Sequence, residues 1–317
     1  MGEKYPALRY SDNMREDCKN GVWTLECDSW KEFENRIEEY KKYAYIWRGQ
    51  SCEKPLLPTI YRGDNTPDDK SIEEHLNQFR KDMPGAHALN QFLDQSQKQG
   101  TKAFEKALSE YYRMIRPKND VNDPKKYVKA FINDIYWAIG QHHGLKTPLF
   151  DWTKDPYKAL FFAFCERKEK DHKRVVFGLA EKSRRLLDKR QQTKRYIEFL
   201  ANLGFVETVL CSSDSPTDVK ERIGPMFGRI KAQEGLFTRT LYNEDIEEHI
   251  KKWYSIYKQR RREEIVFLIK ILIPDGVRED FLEKLEGKEI TYKTMYPDLQ
   301  GAALHCNLRL EPRSRAL

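Results

Sequence analysis

Leu149 to Phe164 reads LFDWTKDPYKALFFAF, and its parsing decides the fold. Leu149 to Trp152 is a short apolar run of strand character. Asp155-Pro156 follows as an N-capping carboxylate and a first-turn proline. These open an apolar helix that includes Ala159 to Phe164. A strand handed directly to an apolar helix predicts a sheet with helices packed on it.

The same signals extend outward in both directions. Upstream, Asp123-Pro124 opens a long helix that carries Tyr127, Phe131, Ile135 and Ala138 inward and closes at Gly144. A helical stretch from about Ser71 to Ser109 precedes it, broken near Pro84-Gly85. Ser29 followed by Glu32 reads as a capping box, with Trp30, Phe33, Ile37, Tyr40 and Ala44 at helical spacing behind it. Tyr45 to Trp47 is a β-favouring run ended by Arg48-Gly49. Downstream, strands are predicted at Val175 to Leu179, Phe205 to Leu210, Leu236 to Leu241 and Ile265 to Ile273. Helices are predicted at Gln192 to Leu203, Ile246 to Tyr257 and Arg278 to Leu285. Strands separated by helices of uneven length, behind a large early helical block, predict an α+β fold with a mixed core sheet of short strands.

Composition bounds the function. The 317 residues are 39% hydrophobic and 34% charged, enough apolar material for a large core under a heavily charged surface. No apolar run reaches the roughly 18 residues of a membrane span, and the first residues lack the apolar stretch of a signal peptide. Six scattered cysteines without a CxxC pair read as reduced thiols of a cytoplasmic protein, with no metal site expected. The net charge of +7 is uneven. Glu166 to Arg195 holds twelve Lys/Arg against five Asp/Glu, and Lys251 to Arg262 has six basic residues and no acid. Such runs attract polyanions or are solvated helix faces. They lack regularly interleaved aromatics on which bases would stack.

Three motifs concentrate polar chemistry in apolar settings. The first is Trp47-Arg48-Gly49-Gln50, backed by Pro55-Leu56-Leu57-Pro58 and Arg62. The planar fork of Arg48 suits a phosphate or carboxylate, and Gly49 allows close approach of backbone or ligand. Equally, Arg48 is a locked partner of an internal carboxylate such as Asp151. The second runs from Gln141 to Thr153 and includes His142, His143, Thr147, Asp151 and Trp152. Its histidines are candidate bases or donors, or helix C-terminal residues satisfied by a carbonyl. The third, Gln233-Glu234-Gly235-Leu236-Phe237, sets a carboxamide and a carboxylate at a strand entrance, where they orient ribose hydroxyls or simply form a turn.

In this order the motifs resemble the FRG domain, named for its (F/Y)-R-G motif. The pattern follows Ile46 to Gln50, Leu57 to Arg62, Gln141 to Thr153 with Pro156 and Ala159 to Ala163, then Ile230 to Phe237 and Met295 to Leu299. Trp47 stands where Phe or Tyr is usual, and Pro148 where the family tends to have Arg. The resemblance implies a domain over 29–303 with a helical insert at about 64–143, an N-terminal extension at 1–28 and a tail at 304–317. More distantly, the chain is similar to the Arg-Ser-Glu class of ADP-ribosyltransferases. The middle motif lacks their serine, and no acid lies two residues before Glu234.

That second resemblance implies an ADP-ribosyltransferase-like fold and an adenine dinucleotide, NAD, as substrate, with no metal. Arg48 clamps its pyrophosphate, and Gly49, Gln141, His143, Thr147, Asp151 and Trp152 complete the binding set. Thr153 supports the nicotinamide ribose, and Glu234, or Gln233 beside it, hydrogen-bonds a ribose hydroxyl as nicotinamide departs. A carboxylate there stabilises the oxocarbenium-like state. The acceptor is a protein, a nucleic acid or water, and the context suits a bacterial or phage conflict system. The departures from the pattern also fit a non-catalytic nucleotide-sensing or partner-binding module. A nucleic-acid-binding protein is the third reading. The absence of an acidic cluster suited to two-metal catalysis counts against a nuclease.

Overall fold

An eight-stranded mixed sheet organises the chain in its computed structural model, which describes residues 8–9, 18–63, 66–115, 124–167, 172–180, 197–200, 228–240, 244–261 and 264–310. In chain order the strands are Cys18–Lys19 (β1), Val22–Glu26 (β2), Tyr45–Gln50 (β3), Leu149–Thr153 (β4), Lys173–Ala180 (β5), Ile197–Leu200 (β6), Gly235–Thr240 (β7) and Leu268–Pro274 (β8). They lie in the order β1-β2-β8-β5-β3-β4-β7-β6. Every neighbouring pair is antiparallel except β2 with β8. The helices are Trp30–Tyr40 (α1), Asp69–Asp82 (α2), Ala86–Lys98 (α3), Lys102–Ile115 (α4), Pro124–His142 (α5), Pro156–Phe164 (α6), Ile246–Arg261 (α7), Arg278–Gly287 (α8), Tyr292–Met295 (α9) and Leu299–Leu310 (α10). None is long and apolar enough to cross a membrane.

The central strands β5 and β8 are mostly apolar on both faces because both faces are covered. On β5, Val175, Phe177 and Leu179 face a layer closed by Ile246, Ile250 and Tyr254 of α7, while Val176 and Ala180 face the opposite layer. That second layer holds Phe33, Ile37 and Tyr40 of α1, the buried residues of α6, and Phe281 and Leu285 of α8. A third cluster joins α2 to α5 with Leu149 of β4 and Phe237 of β7. Leu160, Phe161 and Phe164 of α6 are essentially inaccessible, and such burial stabilises by roughly 1.5–3 kcal/mol per side chain.

Capping signals are realised locally. Ser29 Oγ accepts from Glu32 N at 3.3 Å, and the Glu32 carboxylate reaches Asp28 N at 3.2 Å. Asp155 Oδ1 accepts from Tyr157 N at 2.8 Å, which starts α6 as the Asp-Pro pair predicts. The long helical stretch is broken twice, at Gly85 (φ 82°) and again at Gly100 (φ 59°), a break that the periodicity did not reveal.

Two sequence expectations are corrected. The helix predicted at Gln192 to Leu203 contains β6, whose residues 197–200 pair with Leu200↔Phe237 and Ile197↔Thr240 at its ends. The open edge of β7 outweighs local helical preference. Residues 18–26, read as part of an extension, are two strands of the sheet, and β2 pairs along β8 from Val22↔Leu268 to Glu26↔Leu272. The strand expected at Phe205 to Leu210 lies outside the described residues, as does most of the basic run from Glu166 to Arg195.

Candidate functional site

The sheet splits between β3 and β4. From Tyr45 to Gln50, β3 is paired continuously with β5, whereas its pairing with β4 is confined to Trp47↔Thr153. Beyond that pair β4 follows β7, and a cleft of about 580 Å³ opens. This volume lies within the range of small-molecule sites. Arg48 stands at the fork. Its Nη1 donates to the Asp151 carbonyl at 2.7 Å, taking the place of a ladder partner, and lies 3.9 Å from Asp151 Oδ2. Its guanidinium sits 5.7 Å from the centroid of the Phe150 ring. Arg48 Nε is buried and has no hydrogen-bond partner among the described residues. Burial lowers the Arg48 pKa from its ordinary value; Asp151 opposes that shift and Arg62 adds to it.

Gly49 serves packing. A Cβ built there would lie 1.9 Å from the Ala159 carbonyl oxygen and 2.6 Å from Ala163 N. The approaching backbone is therefore that of α6, which seats on β3 through Ala159 and Ala163 and forms the back of the cleft. Two buried arginines fix the far end of this helix. Arg174 Nη1 donates to the carbonyls of Ala163 at 2.8 Å and Glu166 at 2.7 Å, while Arg278 Nε donates to Phe164 O at 2.9 Å. Cationic donors at a helix C-terminus satisfy its last carbonyls and complement its dipole. They also place Cys165 and Glu166 at the cleft wall.

The second motif is a hydrogen-bonded relay. Thr147 is fully buried; its N–H donates to Thr59 Oγ1 at 2.9 Å and its hydroxyl donates to Gln141 Oε1. With its oxygen so engaged, the Gln141 amide must present Nε2 to the cleft, where it donates to Asp151 Oδ1 at 2.5 Å. The Asp151 side chain lines the cleft and remains 62% exposed. That partial loss of hydration raises its pKa, against the pull of Arg48, Gln141 and Arg62. His142 lines the cleft, and burial, followed by Arg229 and His143, lowers its pKa to about 4, so it is neutral near pH 7. His143 is exposed and does not line the cavity. Trp152 is buried at the wall, with Nε1 donating to Thr238 Oγ1 at 2.8 Å.

The third motif divides at one residue. Gln233 lines the cleft, with Nε2 donating to Met295 O at 3.1 Å. Glu234 adopts a left-handed backbone (φ 47°), and its carboxylate turns away to pair with Lys158 Nζ at 2.8 Å. It is not among the residues lining the cavity. Thr153 does line it, although its hydroxyl is occupied by Asp155 N at 3.0 Å. Arg48, Gln141, Asp151, Trp152, Thr153 and Gln233 thus share one cavity, with Gly49 at its back; His143, Thr147 and Glu234 do not face it.

Sequence reasoning passed over the opposite wall. Arg229, four residues ahead of the third motif, pairs with Asp298 at 2.5 Å and lies 5.1 Å from the Tyr296 ring centroid. Tyr296 meets Phe162 edge-on, with centroids 6.4 Å apart, and all three line the cleft. The usable signal was the juxtaposition of Tyr296 and Asp298 in the Met295 to Leu299 segment. The cavity therefore offers the Arg48 fork with Arg62 and Lys54 beside it, an aromatic wall, and the Asp151 carboxylate on its floor. That combination suits a ligand with anionic groups and a ring. Among the described residues no group of three or more His, Cys, Asp or Glu side chains is placed to hold a metal ion. The basic run on α7 lies elsewhere: Lys251 pairs with Glu247 at 2.7 Å, Lys252 with Glu244 at 3.5 Å, and neither borders the cleft.

No curated protein and no solved structure matches the chain. A family model does match, over residues 43–172, and that span takes in the fork at Arg48, the relay around Gln141 and all of α6. Over those residues the chain carries an FRG domain.

Proposed function

We propose that the cleft binds an adenine dinucleotide, NAD, and that the FRG-domain protein acts as an ADP-ribosyltransferase-like enzyme at the bond between nicotinamide and ribose. The observation that carries this reading is Arg48 at the split of the sheet. The Arg48 guanidinium lines the open cleft with Nη1 held by the Asp151 carbonyl, and a planar fork so positioned matches a diphosphate. Arg62 and Lys54 add positive charge at the same mouth, and Tyr296 with Phe162 offers a surface for a base. Water or another nucleophile completes the transfer.

A second reading, a nucleotide-sensing module without catalysis, is favoured by one observation. Glu234, Gln233 and Thr153 are each engaged by Lys158, Met295 O and Asp155 N. Incubation of purified protein with NAD, scored for thermal stabilisation and for free nicotinamide, separates the two. Stabilisation with nicotinamide release supports the enzyme, and stabilisation without release supports the sensor. No stabilisation by NAD or ADP-ribose removes both.

A further inference from the structure

We propose that Asp151 is the carboxylate that serves the reacting ribose, a role that rests on the NAD reading above. Among the carboxylates of the three motifs it is the one in the cavity, because Glu234 points out to Lys158. Its two oxygens are not equivalent. Oδ1 is held by Gln141 Nε2 at 2.5 Å, whereas Oδ2 lies 3.9 Å from Arg48 Nη1, beyond hydrogen-bond length, and borders the open cleft. The Thr147 hydroxyl fixes the orientation of Gln141, so the carboxylate is set before any ligand arrives. Pre-set groups avoid reorganisation during reaction. The charged and titratable groups facing it are Arg48 of β3, Arg62 behind the Thr59–Tyr61 turn, and Tyr296 of the opposite wall. Its raised pKa is consistent with a group that can take up a proton.

The step balances with water as co-reactant. The bond between ribose C1′ and the pyridinium nitrogen breaks, and its electron pair leaves with nicotinamide, which departs neutral. Positive charge develops at C1′, and the Asp151 carboxylate, close to it and partly desolvated, stabilises that charge. The water oxygen bonds C1′, and its released proton passes to Asp151 Oδ2 and on to solvent. Arg48 Nη1 donates to the backbone carbonyl of Asp151 at 2.7 Å, which holds the phosphate anchor beside the residue that carries this carboxylate.

The test compares Asp151→Asn with Glu234→Gln. Asn keeps the shape and can still accept from Gln141 through Oδ1, so folding and NAD-induced stabilisation should survive. Nicotinamide release should fall at least about 100-fold, the scale of losing a positioned proton acceptor. Glu234→Gln should retain release within about threefold. Gln141→Glu supplies an independent readout. A second acid against Asp151 raises its pKa, so the acid limb of the pH–rate profile should move to higher pH. Release by Asp151→Asn at near-parent rate overturns the assignment, as does loss of release in Glu234→Gln or Glu166→Gln with Asp151→Asn active. NAD binding by the parent without release overturns it and leaves the binding reading standing. No NAD binding at all removes that reading, and the assignment with it.

Discussion

Replacing Arg48 with Lys keeps the charge at the fork of the sheet and removes the planar donor, and the structure sets the expected size of each consequence. The ion pair to Asp151 is 3.9 Å long and its acid is 62% exposed, so solvent screens it to about 0–1 kcal/mol. The 2.7 Å bond from Nη1 to the Asp151 carbonyl comes from a charged donor and is worth about 1.5–3 kcal/mol, part of which a Lys ammonium recovers. The face of Phe150 at 5.7 Å adds about 0.5–1 kcal/mol. Together these contacts are worth about 2–5 kcal/mol, and because Lys keeps the charge and recovers more than half of that, Arg48→Lys should cost roughly 1–2 kcal/mol, short of the 3–5 kcal/mol of a broken buried pair. The melting temperature should therefore fall by only a few degrees. Binding should respond more strongly. Loss of one arm of a bidentate phosphate contact, about 1.5–3 kcal/mol, weakens affinity roughly 10- to 100-fold. At saturating NAD each tenfold loss removes about 1.4 kcal/mol of ligand-induced stabilisation. Thermal melts of parent and variant with and without NAD, with calorimetric titration, measure both. An Arg48→Lys protein that melts more than about 10 °C lower shows a structural residue, and one that keeps the full NAD-induced shift shows that the fork holds no phosphate.

Gly49→Ala should destabilise by at least about 2–3 kcal/mol, since its Cβ would meet the α6 backbone at 1.9 Å and no rotamer relieves that contact; a denaturant midpoint unchanged from the parent refutes the packing argument. Arg174→Met should cost about 3–5 kcal/mol, because it strips the donor from Ala163 O and Glu166 O and leaves Asp275 uncompensated; urea unfolding measures it, and a loss under about 1 kcal/mol would show that α6 is held by packing alone. His142 has a folded pKa of about 4 against an ordinary 6.5, so the stability it contributes is complete above pH 6.5 and is lost as pH falls through about 4. The loss reaches at most about 3 kcal/mol, and His142→Gln should flatten the stability profile between pH 6.5 and 4; a variant with the parent's slope there assigns the acid sensitivity to other groups.

Much of the architecture was legible because its causes are local. Asp155-Pro156 starts α6 by donor capping and a preset dihedral angle, and both act within four residues. The apolar runs of β5 and β8 announce burial on both faces whatever their neighbours, and the polar clusters around Arg48, Asp151 and Gln233 announce shared chemistry because polar groups in apolar surroundings need partners. They do line one cavity. Tertiary structure decided the rest. Residues 197–200 became a strand because β7 had an open edge, an attraction absent from their own sequence. Arg229 and Tyr296 became a wall of the cleft through Asp298, sixty-nine residues from Arg229 in the chain. Whether Gln233 or Glu234 faces the cavity turns on one left-handed residue at the mouth of β7. Both residues lie in the turn that enters β7, where the positive φ of Glu234 redirects its side chain, and composition carries no record of that backbone conformation; the turn between the preceding helical residues and the paired strand sets it.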